Sequence, residues 1–234
     1  MSRPFLFGSS MKKSEVAPEQ YEKLLAHLNL VIEANKRTNL TRINTPEEGE
    51  LLHIEDSIAG LDELNAAPAG KYADLGTGGG FPGIPLAILS GRKTVLVDTR
   101  YKKTEALDDI IAELGVSDQV TTYTGRIELM ALEQKGQYAA ITARALAKLS
   151  VLMELASPLL KKGGYLICYK SHVEDDEMNH ALELQQTLNM KKVSDRSFYL
   201  SDGETFRRII VFEKLGNARI KLPRHDGFAQ KKPL

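Results

Sequence analysis

The spacing of hydrophobic positions predicts two regions of different architecture. Over residues 17–34, apolar side chains recur every three or four positions, which is typical of a helix with one buried face. A second helix is predicted to begin at Thr45, because this residue offers an N-cap and is followed by proline and two glutamates ahead of an apolar run. Beyond Ala66, short apolar runs alternate with helical stretches, the order that builds a parallel sheet covered on both faces.

The second region predicts an α/β fold. Five strands are predicted at residues 71–75, 94–98, 119–124, 138–143 and 165–170. Helices are predicted at residues 82–89, 102–114, 127–133, 148–160 and 174–188. Two further strand-like runs, 191–200 and 206–214, flank a polar turn and indicate a hairpin, so the last strand is expected to run antiparallel. We therefore divide the chain into a helical extension (1–66), a sheet domain (67–214) and a basic tail (215–234).

Composition narrows the class of protein. With 234 residues, 42% hydrophobic and 26% charged, the chain is neither disordered nor collagen-like and is long enough for a sizeable core. Cys168 is the only cysteine, which excludes an internal disulfide and indicates a reducing compartment. The five histidines lack metal-ligand spacing, so no metal is expected. Residues 1–8 lack a signal-peptide core and no apolar run reaches the roughly 18 residues of a membrane span, so we expect a cytoplasmic protein.

Charge limits how the chain could contact a polyanion. Lysine plus arginine number 31, as do aspartate plus glutamate, so only a local patch could attract nucleic acid. Six cations lie between Lys214 and Leu234 against the single acid Asp226, and Lys231 and Lys232 of this tail are predicted phosphate contacts. The alternative is a solvated tail without a binding role.

A glycine-rich turn follows the first predicted strand. Residues 71–83 read K-Y-A-D-L-G-T-G-G-G-F-P-G, and such glycines let the backbone approach a ligand at a helix N-terminus. Asp98 ends the next strand, where an acid can hydrogen-bond ribose hydroxyls. Gly78, Gly80 and Gly83 also fit the G-x-G-x-x-G spacing of dinucleotide enzymes. Asp74 beside the turn would repel a pyrophosphate but not a cationic sulfonium cofactor, which favours S-adenosyl-L-methionine.

Three segments together resemble a known family. D-L-G-T-G-G-G-F-P-G-I-P-L (74–86), N-L-T-R-I (39–43) and H-I-E-D-S (53–57) are similar to the RsmG (GidB) family of bacterial S-adenosylmethionine-dependent methyltransferases, which modify a guanine at N7 in small-subunit (16S) ribosomal RNA. The resemblance covers nearly the whole chain and implies a class I, Rossmann-like methyltransferase fold with a seven-stranded, mostly parallel sheet. Leu52, Ala106 and Ser171 depart from arginine, phenylalanine and glycine at these positions of the family pattern.

The resemblance also implies a cofactor site and a substrate surface. The predicted cofactor contacts are Asp74, Gly76, Thr77, Gly78, Gly80, Phe81, Asp98, Ile127, Glu128 and Arg144. Of these, Asp98 would bind the ribose, Ile127 and Glu128 would meet the adenine, and Arg144 would lie near the transferable methyl group. The predicted substrate contacts are Arg144, Lys170, Lys231 and Lys232, with ribosomal RNA or a ribosomal subunit as partner.

The resemblance leads to a hypothesis of direct in-line transfer by a monomer. Guanine N7 carries a free lone pair, so no catalytic base is required, and none is predicted. We interpret Asn39, His53 and Asp56 as a polar link that docks the N-terminal helices on the sheet. The alternatives are methylation of another RNA, a protein or a metabolite, a non-catalytic ribosome-assembly factor, and a nicotinamide oxidoreductase.

Overall fold

A seven-stranded sheet forms the centre of the molecule. The computed structural model describes residues 15–43 and 45–234, so the segment 1–8 weighed as a signal peptide lies outside the described residues. The strands are β1 (Lys71–Leu75), β2 (Thr94–Asp98), β3 (Val120–Thr124), β4 (Tyr138–Arg144), β5 (Leu160–Lys170), β6 (Met190–Tyr199) and β7 (Phe206–Lys214). Their order is β3-β2-β1-β4-β5-β7-β6, with β1 to β5 parallel and β7 antiparallel to both neighbours. The predicted fold is confirmed.

Helices cover both faces of this sheet. They are α1 (Pro18–Asn35), α2 (Pro46–Gly49), a π-helical segment (Glu50–Glu55), α3 (Asp56–Ile58), α4 (Leu61–Ala66), α5 (Gly83–Ser90), α6 (Tyr101–Glu113), α7 (Ile127–Glu133), α8 (Leu149–Ala156), α9 (Asp175–Glu183), α10 (Gln185–Leu188) and α11 (Phe228–Lys231). Because both faces are covered, the central strand β4 is buried from Tyr138 to Ala143 and is apolar there except at Thr142. Within the described residues, no helix has the length and apolar character needed to cross a membrane.

The N-terminal helices share a core with the sheet domain. Leu24, Leu28 and Val31 of α1 pack in one cluster with Ile84 of α5 and Leu96 of β2. The hydroxyl of Thr45 accepts a hydrogen bond from the Glu48 amide and caps α2, as the sequence predicts. Burial of this shared face fixes the helical extension beside the glycine-rich turn, where its side chains reach the carboxyl ends of the strands.

The π-helical segment is a feature that the sequence does not predict. It interrupts the expected helix between α2 and α3, and its wider turn carries His53 toward β4. Single π turns within α-helices occur frequently at functional sites. Here the segment places its histidine against the end of the central strand β4. Asp56, which begins α3 directly after the segment, contacts the same strand end.

Candidate functional site

The glycine-rich turn leaves β1 in a conformation that requires glycine. Gly76, Gly78 and Gly80 have φ angles of 69°, 59° and 85°, in the left-handed region. The turn is held by the amides of Gly76 and Thr77, which both donate to the Val97 carbonyl of β2, over 2.9 and 3.1 Å. The backbone of the turn is therefore fixed to the sheet, and its outer side faces a cavity.

This cavity lies at the carboxyl ends of β1, β2 and β3 and has a volume of about 460 Å³. In open α/β sheets, ligands bind at this edge. Eight of the predicted cofactor contacts line the cavity: Gly76, Thr77, Gly78, Phe81, Asp98, Ile127, Glu128 and Arg144. The structure therefore brings together side chains from the glycine-rich turn and from the ends of three further strands.

Asp74 lies beneath the turn and does not line this cavity. Its Oδ1 accepts a hydrogen bond of 2.6 Å from the Thr142 hydroxyl, and its Oδ2 accepts one of 3.1 Å from the Gly83 amide at the start of α5. Burial raises the pKa of this carboxyl from 3.8 to about 6, although the hydrogen bond from Thr142 opposes the shift. Asp74 therefore supports the turn from behind and places a buried negative charge below the cavity.

Phe81 in the turn is sandwiched between two histidines. Its ring stacks on His27 of α1, with 4.2 Å between ring centroids, and on His53 of the π-helical segment, with 4.3 Å. His27 Nε2 lies 2.9 Å from the Gly79 carbonyl, which can only accept, so this nitrogen carries the proton. Burial lowers the pKa of both histidines to about 3, so both rings are neutral at neutral pH.

Arg144 at the end of β4 is held by three acceptors. Its guanidinium donates to Asp56 Oδ2 at 2.7 Å, to the Leu52 carbonyl at 3.0 Å and to His53 Nδ1 at 3.0 Å. Arg207 donates to the other oxygen of Asp56 over 2.9 Å. The predicted polar link is therefore confirmed for His53 and Asp56.

The loop before this link is organised by a residue that the sequence did not single out. The Asn35 side-chain oxygen accepts hydrogen bonds from the amides of Leu40 and Thr41, at 2.7 and 3.0 Å. Asn39, the third residue of the predicted polar link, is exposed. The hydroxyl of Thr41 in turn lies 2.8 Å from His53 Nε2. Because Leu52 contacts Arg144 through its backbone, the departure from arginine at position 52 leaves this contact in place.

A second cavity of about 720 Å³ adjoins the first. The two share Thr41, His53, Arg144 and Ala145 as lining residues. Ala145 has a φ of 53°, a left-handed conformation that is costly for a residue with a side chain and that clusters at functional sites. The strained backbone thus lies in the wall between the two cavities. Arg42, Lys170 and Arg207 also line the second cavity, and Asp56 is the one acid among its lining residues.

Comparison with known proteins decides the family. A model of the family described as rRNA small subunit methyltransferase G matches residues 20–204. The chain belongs to this family. A relative named ribosomal RNA small subunit methyltransferase G from Desulfitobacterium hafniense is 36% identical, over 94% of this chain and 92% of its own. One of the same name from Alkaliphilus metalliredigens is 34% identical, over 92% of this chain and 91% of its own.

Solved structures share the fold at low sequence identity. Cofactor-bound Rv0187 from MTB aligns with a TM-score of 0.56 at 18% identity, over 88% of this chain and 94% of that one. A putative O-methyltransferase from Klebsiella pneumoniae aligns with a TM-score of 0.54 at 16% identity, over 81% of this chain and 90% of its own. The predicted family is confirmed, and with it S-adenosylmethionine-dependent methyltransferase chemistry. The nicotinamide oxidoreductase alternative is set aside.

The predicted substrate contacts are spread over two places. Arg144 lines both cavities. The Lys170 ammonium lies 2.7 Å from Glu177 Oε1 and donates to the Ala147 carbonyl at 3.1 Å, and its side chain is only 14% exposed. An RNA phosphate would have to compete with Glu177, so the predicted contact stays a prediction. Lys231 and Lys232 are exposed in and just after α11.

Glu128 has a role that sequence reasoning missed. Its Oε1 accepts hydrogen bonds from the Gly227 amide at 2.7 Å and from Arg126 Nη2 at 3.1 Å. Burial tends to raise the pKa of this carboxyl, but the hydrogen bonds outweigh burial and the net shift is downward. Glu128 therefore stays ionised and ties the C-terminal tail to the first cavity.

Among the described residues, no cluster of three or more histidine, cysteine or acidic side chains is arranged to bind a metal.

Proposed function

We propose that this protein transfers the methyl group of S-adenosylmethionine to N7 of a guanine in small-subunit (16S) ribosomal RNA. The family membership supports the ribosomal RNA substrate, and the resemblance to the RsmG family supports guanine N7. The single structural observation that carries the proposal is the pair of cavities that share the Arg144–Ala145 wall. One cavity suits the cofactor, and its neighbour suits a target nucleotide.

The first cavity fits the cofactor in size and chemistry. Its volume of about 460 Å³ falls within the roughly 300–1,000 Å³ of small-molecule sites. Asp98 at the end of β2 would accept hydrogen bonds from the ribose hydroxyls, and Ile127 would pack on the adenine. The turn backbone and Phe81 would hold the methionine portion. When bound, the cofactor supplies an electrophilic methyl group on a sulfonium.

The second cavity suits an RNA nucleotide by charge. Three arginines and a lysine surround it: Arg42, Arg144, Arg207 and Lys170. Asp56 in the wall is shared by Arg144 and Arg207, and Glu177 pairs with Lys170, so these three cations outnumber their two acidic partners. Such an excess favours a phosphate-bearing ligand.

The residues at the shared wall would position the reactants and would take no part in proton transfer. Guanine N7 needs no deprotonation, His53 is neutral, and Arg144 is committed to Asp56. Arg144 would fix the end of β4, so that the strained Ala145 backbone holds the nucleotide and the cofactor at attack distance.

We further propose that the protein acts as a monomer in the cytoplasm, without a metal. The buried thiol of Cys168, the only cysteine of the sequence, suits a reducing compartment. Light scattering of the purified protein at micromolar concentration checks the monomer, and a dimer mass would contradict it.

Methyl transfer to ribosomal RNA tests the function directly. The purified protein is incubated with methyl-tritiated S-adenosylmethionine and either small subunits or free RNA from a strain that lacks the activity. Label in one guanine of 16S RNA is expected, and primer extension after borohydride reduction and aniline cleavage at 7-methylguanine locates it. Asp98→Ala serves as the control and should label poorly. Binding of the RNA should weaken steeply as salt rises, whereas a neutral metabolite would bind independently of salt. Label in protein or small molecules alone would contradict the proposal.

A further inference from the structure

The C-terminal tail folds back over the carboxyl edge of the sheet. Ala229 of α11 is 2% exposed and packs on Val151 and Leu155 of α8. Arg224 donates to both carboxylate oxygens of buried Glu154, at 2.7 and 2.6 Å. This tail lies beyond residues 20–204 that match the family model, and its packing is that of an integral part of the domain.

The tail reaches the first cavity at its adenine end. The Gly227 amide donates to Glu128, which lines this cavity with Ile127. Gln230, one helical turn further, also lines the cavity. Gly227 has a φ of 74°, and a Cβ there would lie 3.2 Å from Arg126 Nη2, so the approach of the tail depends on this glycine.

We propose that the tail segment 227–230 forms a wall of the cofactor site, with Gln230 as a further binding residue. This inference rests on the proposed function, because it takes S-adenosylmethionine as the occupant. A carboxamide both donates and accepts hydrogen bonds, which matches the amino group and ring nitrogens of an adenine. Glu128 then acts as a positioning residue that holds the tail at the cavity through the Gly227 amide.

Coupling between the tail and the cofactor follows from this arrangement. A wall that closes one end of the cavity excludes water from the hydrogen bonds inside it. If the docked tail raises cofactor affinity, the bound cofactor must stabilise tail docking by the same factor. The tail should therefore become more protected from solvent when the site is filled.

Calorimetry with S-adenosylmethionine on four forms of the protein tests the proposal. Gln230→Ala should raise the Kd about 2- to 10-fold, the effect of one hydrogen bond. A chain that ends at Asp226 lacks the whole wall and should raise the Kd further. Asn217→Ala is the matched control, because it removes an exposed tail amide that does not line the first cavity, and it should bind like the unaltered protein.

Hydrogen exchange supplies a readout that needs no variant. Amides 227–231 should exchange more slowly when S-adenosylhomocysteine is added to the unaltered protein. Unchanged exchange there, together with an unchanged Kd for Gln230→Ala, would overturn the inference. If circular dichroism shows that the chain ending at Asp226 does not fold, the Kd of Gln230→Ala and the exchange data test the inference in its place. Absence of any cofactor binding by the unaltered protein would instead overturn the proposed function as well.

Discussion

Lowering the pH from about 7 to about 5 should weaken binding of S-adenosylmethionine through Asp74. Burial of this side chain raises its pKa to about 6, so the carboxyl is ionised at the higher pH and mostly protonated at the lower. The ionised form places a negative charge beneath a cavity that takes a cationic ligand. Cofactor affinity should therefore be highest above this pKa and should decrease as the pH falls through it.

The structure sets the size of the effect. At pH 5, about ten of every eleven molecules would carry a protonated Asp74, so the Kd should rise about tenfold if only the ionised form binds. His27 and His53 do not contribute, because burial lowers the pKa of each to about 3. The pKa of Glu128 is also below its ordinary value, so this carboxyl does not account for the change either.

The pKa of Asp74 has the opposite consequence for folding. The folded carboxyl binds its proton more tightly than an unfolded one with the ordinary value of 3.8. Its contribution to the free energy of unfolding should therefore grow, by up to about 3 kcal/mol, as the pH falls from 6 toward 3.8. Protonation of Asp74 thus stabilises the folded state at pH 5, so it does not weaken cofactor binding there by unfolding the protein.

Calorimetry with two ligands separates the effect of the Asp74 charge from other effects of pH on binding. S-adenosylmethionine should bind about tenfold more weakly at pH 5 than at pH 7. S-adenosylhomocysteine, whose sulfur is an uncharged thioether, should show a much smaller change. In Asp74→Asn the difference between the two pH values should disappear. Equal affinity for S-adenosylmethionine at both pH values, or the same loss for both ligands, would refute the role of the Asp74 charge.

Three further predictions concern binding, stability and turnover. Asp98→Ala should raise the cofactor Kd about tenfold by removing the ribose acceptor, and an unchanged calorimetric Kd would contradict this site. Gly83→Ala should lower the free energy of unfolding by about 1–3 kcal/mol, because a Cβ would overlap the Leu96 side chain; a wild-type urea midpoint would argue against it. Arg144→Lys should reduce kcat for methyl transfer at least about tenfold, since an ammonium cannot reproduce the fork of a guanidinium; wild-type turnover on ribosomal subunits would contradict this positioning role.

Local signals account for the parts of the fold that sequence predicts well. The strand β1 coincides with the predicted residues 71–75, because the glycines that follow Leu75 leave little choice for the end of the strand. The strand β5 begins earlier than predicted, at Leu160. Leu160 pairs with Tyr138, and Tyr165 pairs with Ala140, so residues 161–164 bulge between them. Two lysines and two glycines there read as a turn, and only pairing with β4 makes this segment part of the strand.

Contacts between distant parts of the chain could not be predicted in the same way. Arg144 and Asp56 each stand out in the sequence, but their ion pair joins residues 88 positions apart. His27 gives no local signal beyond a polar position on an amphipathic helix, yet it holds the turn through Gly79. The bond between Glu128 and Gly227 spans 99 positions. Side-chain partners of this kind depend on how the helices and the tail dock on the sheet. The periodicity of hydrophobic residues does not show how these elements dock.

The two ends of the chain complete a site that the sheet only begins. The strands place Asp98 and Arg144 at one edge, as their local pattern predicts. The N-terminal helices then clamp Phe81 through His27 and His53, and the tail closes the far side through Gly227. Because both ends of the chain line the cavity, the affinity for the cofactor depends on how strongly the N-terminal helices and the tail dock on the sheet. A substitution that loosens either end should therefore weaken cofactor binding while the central sheet remains folded.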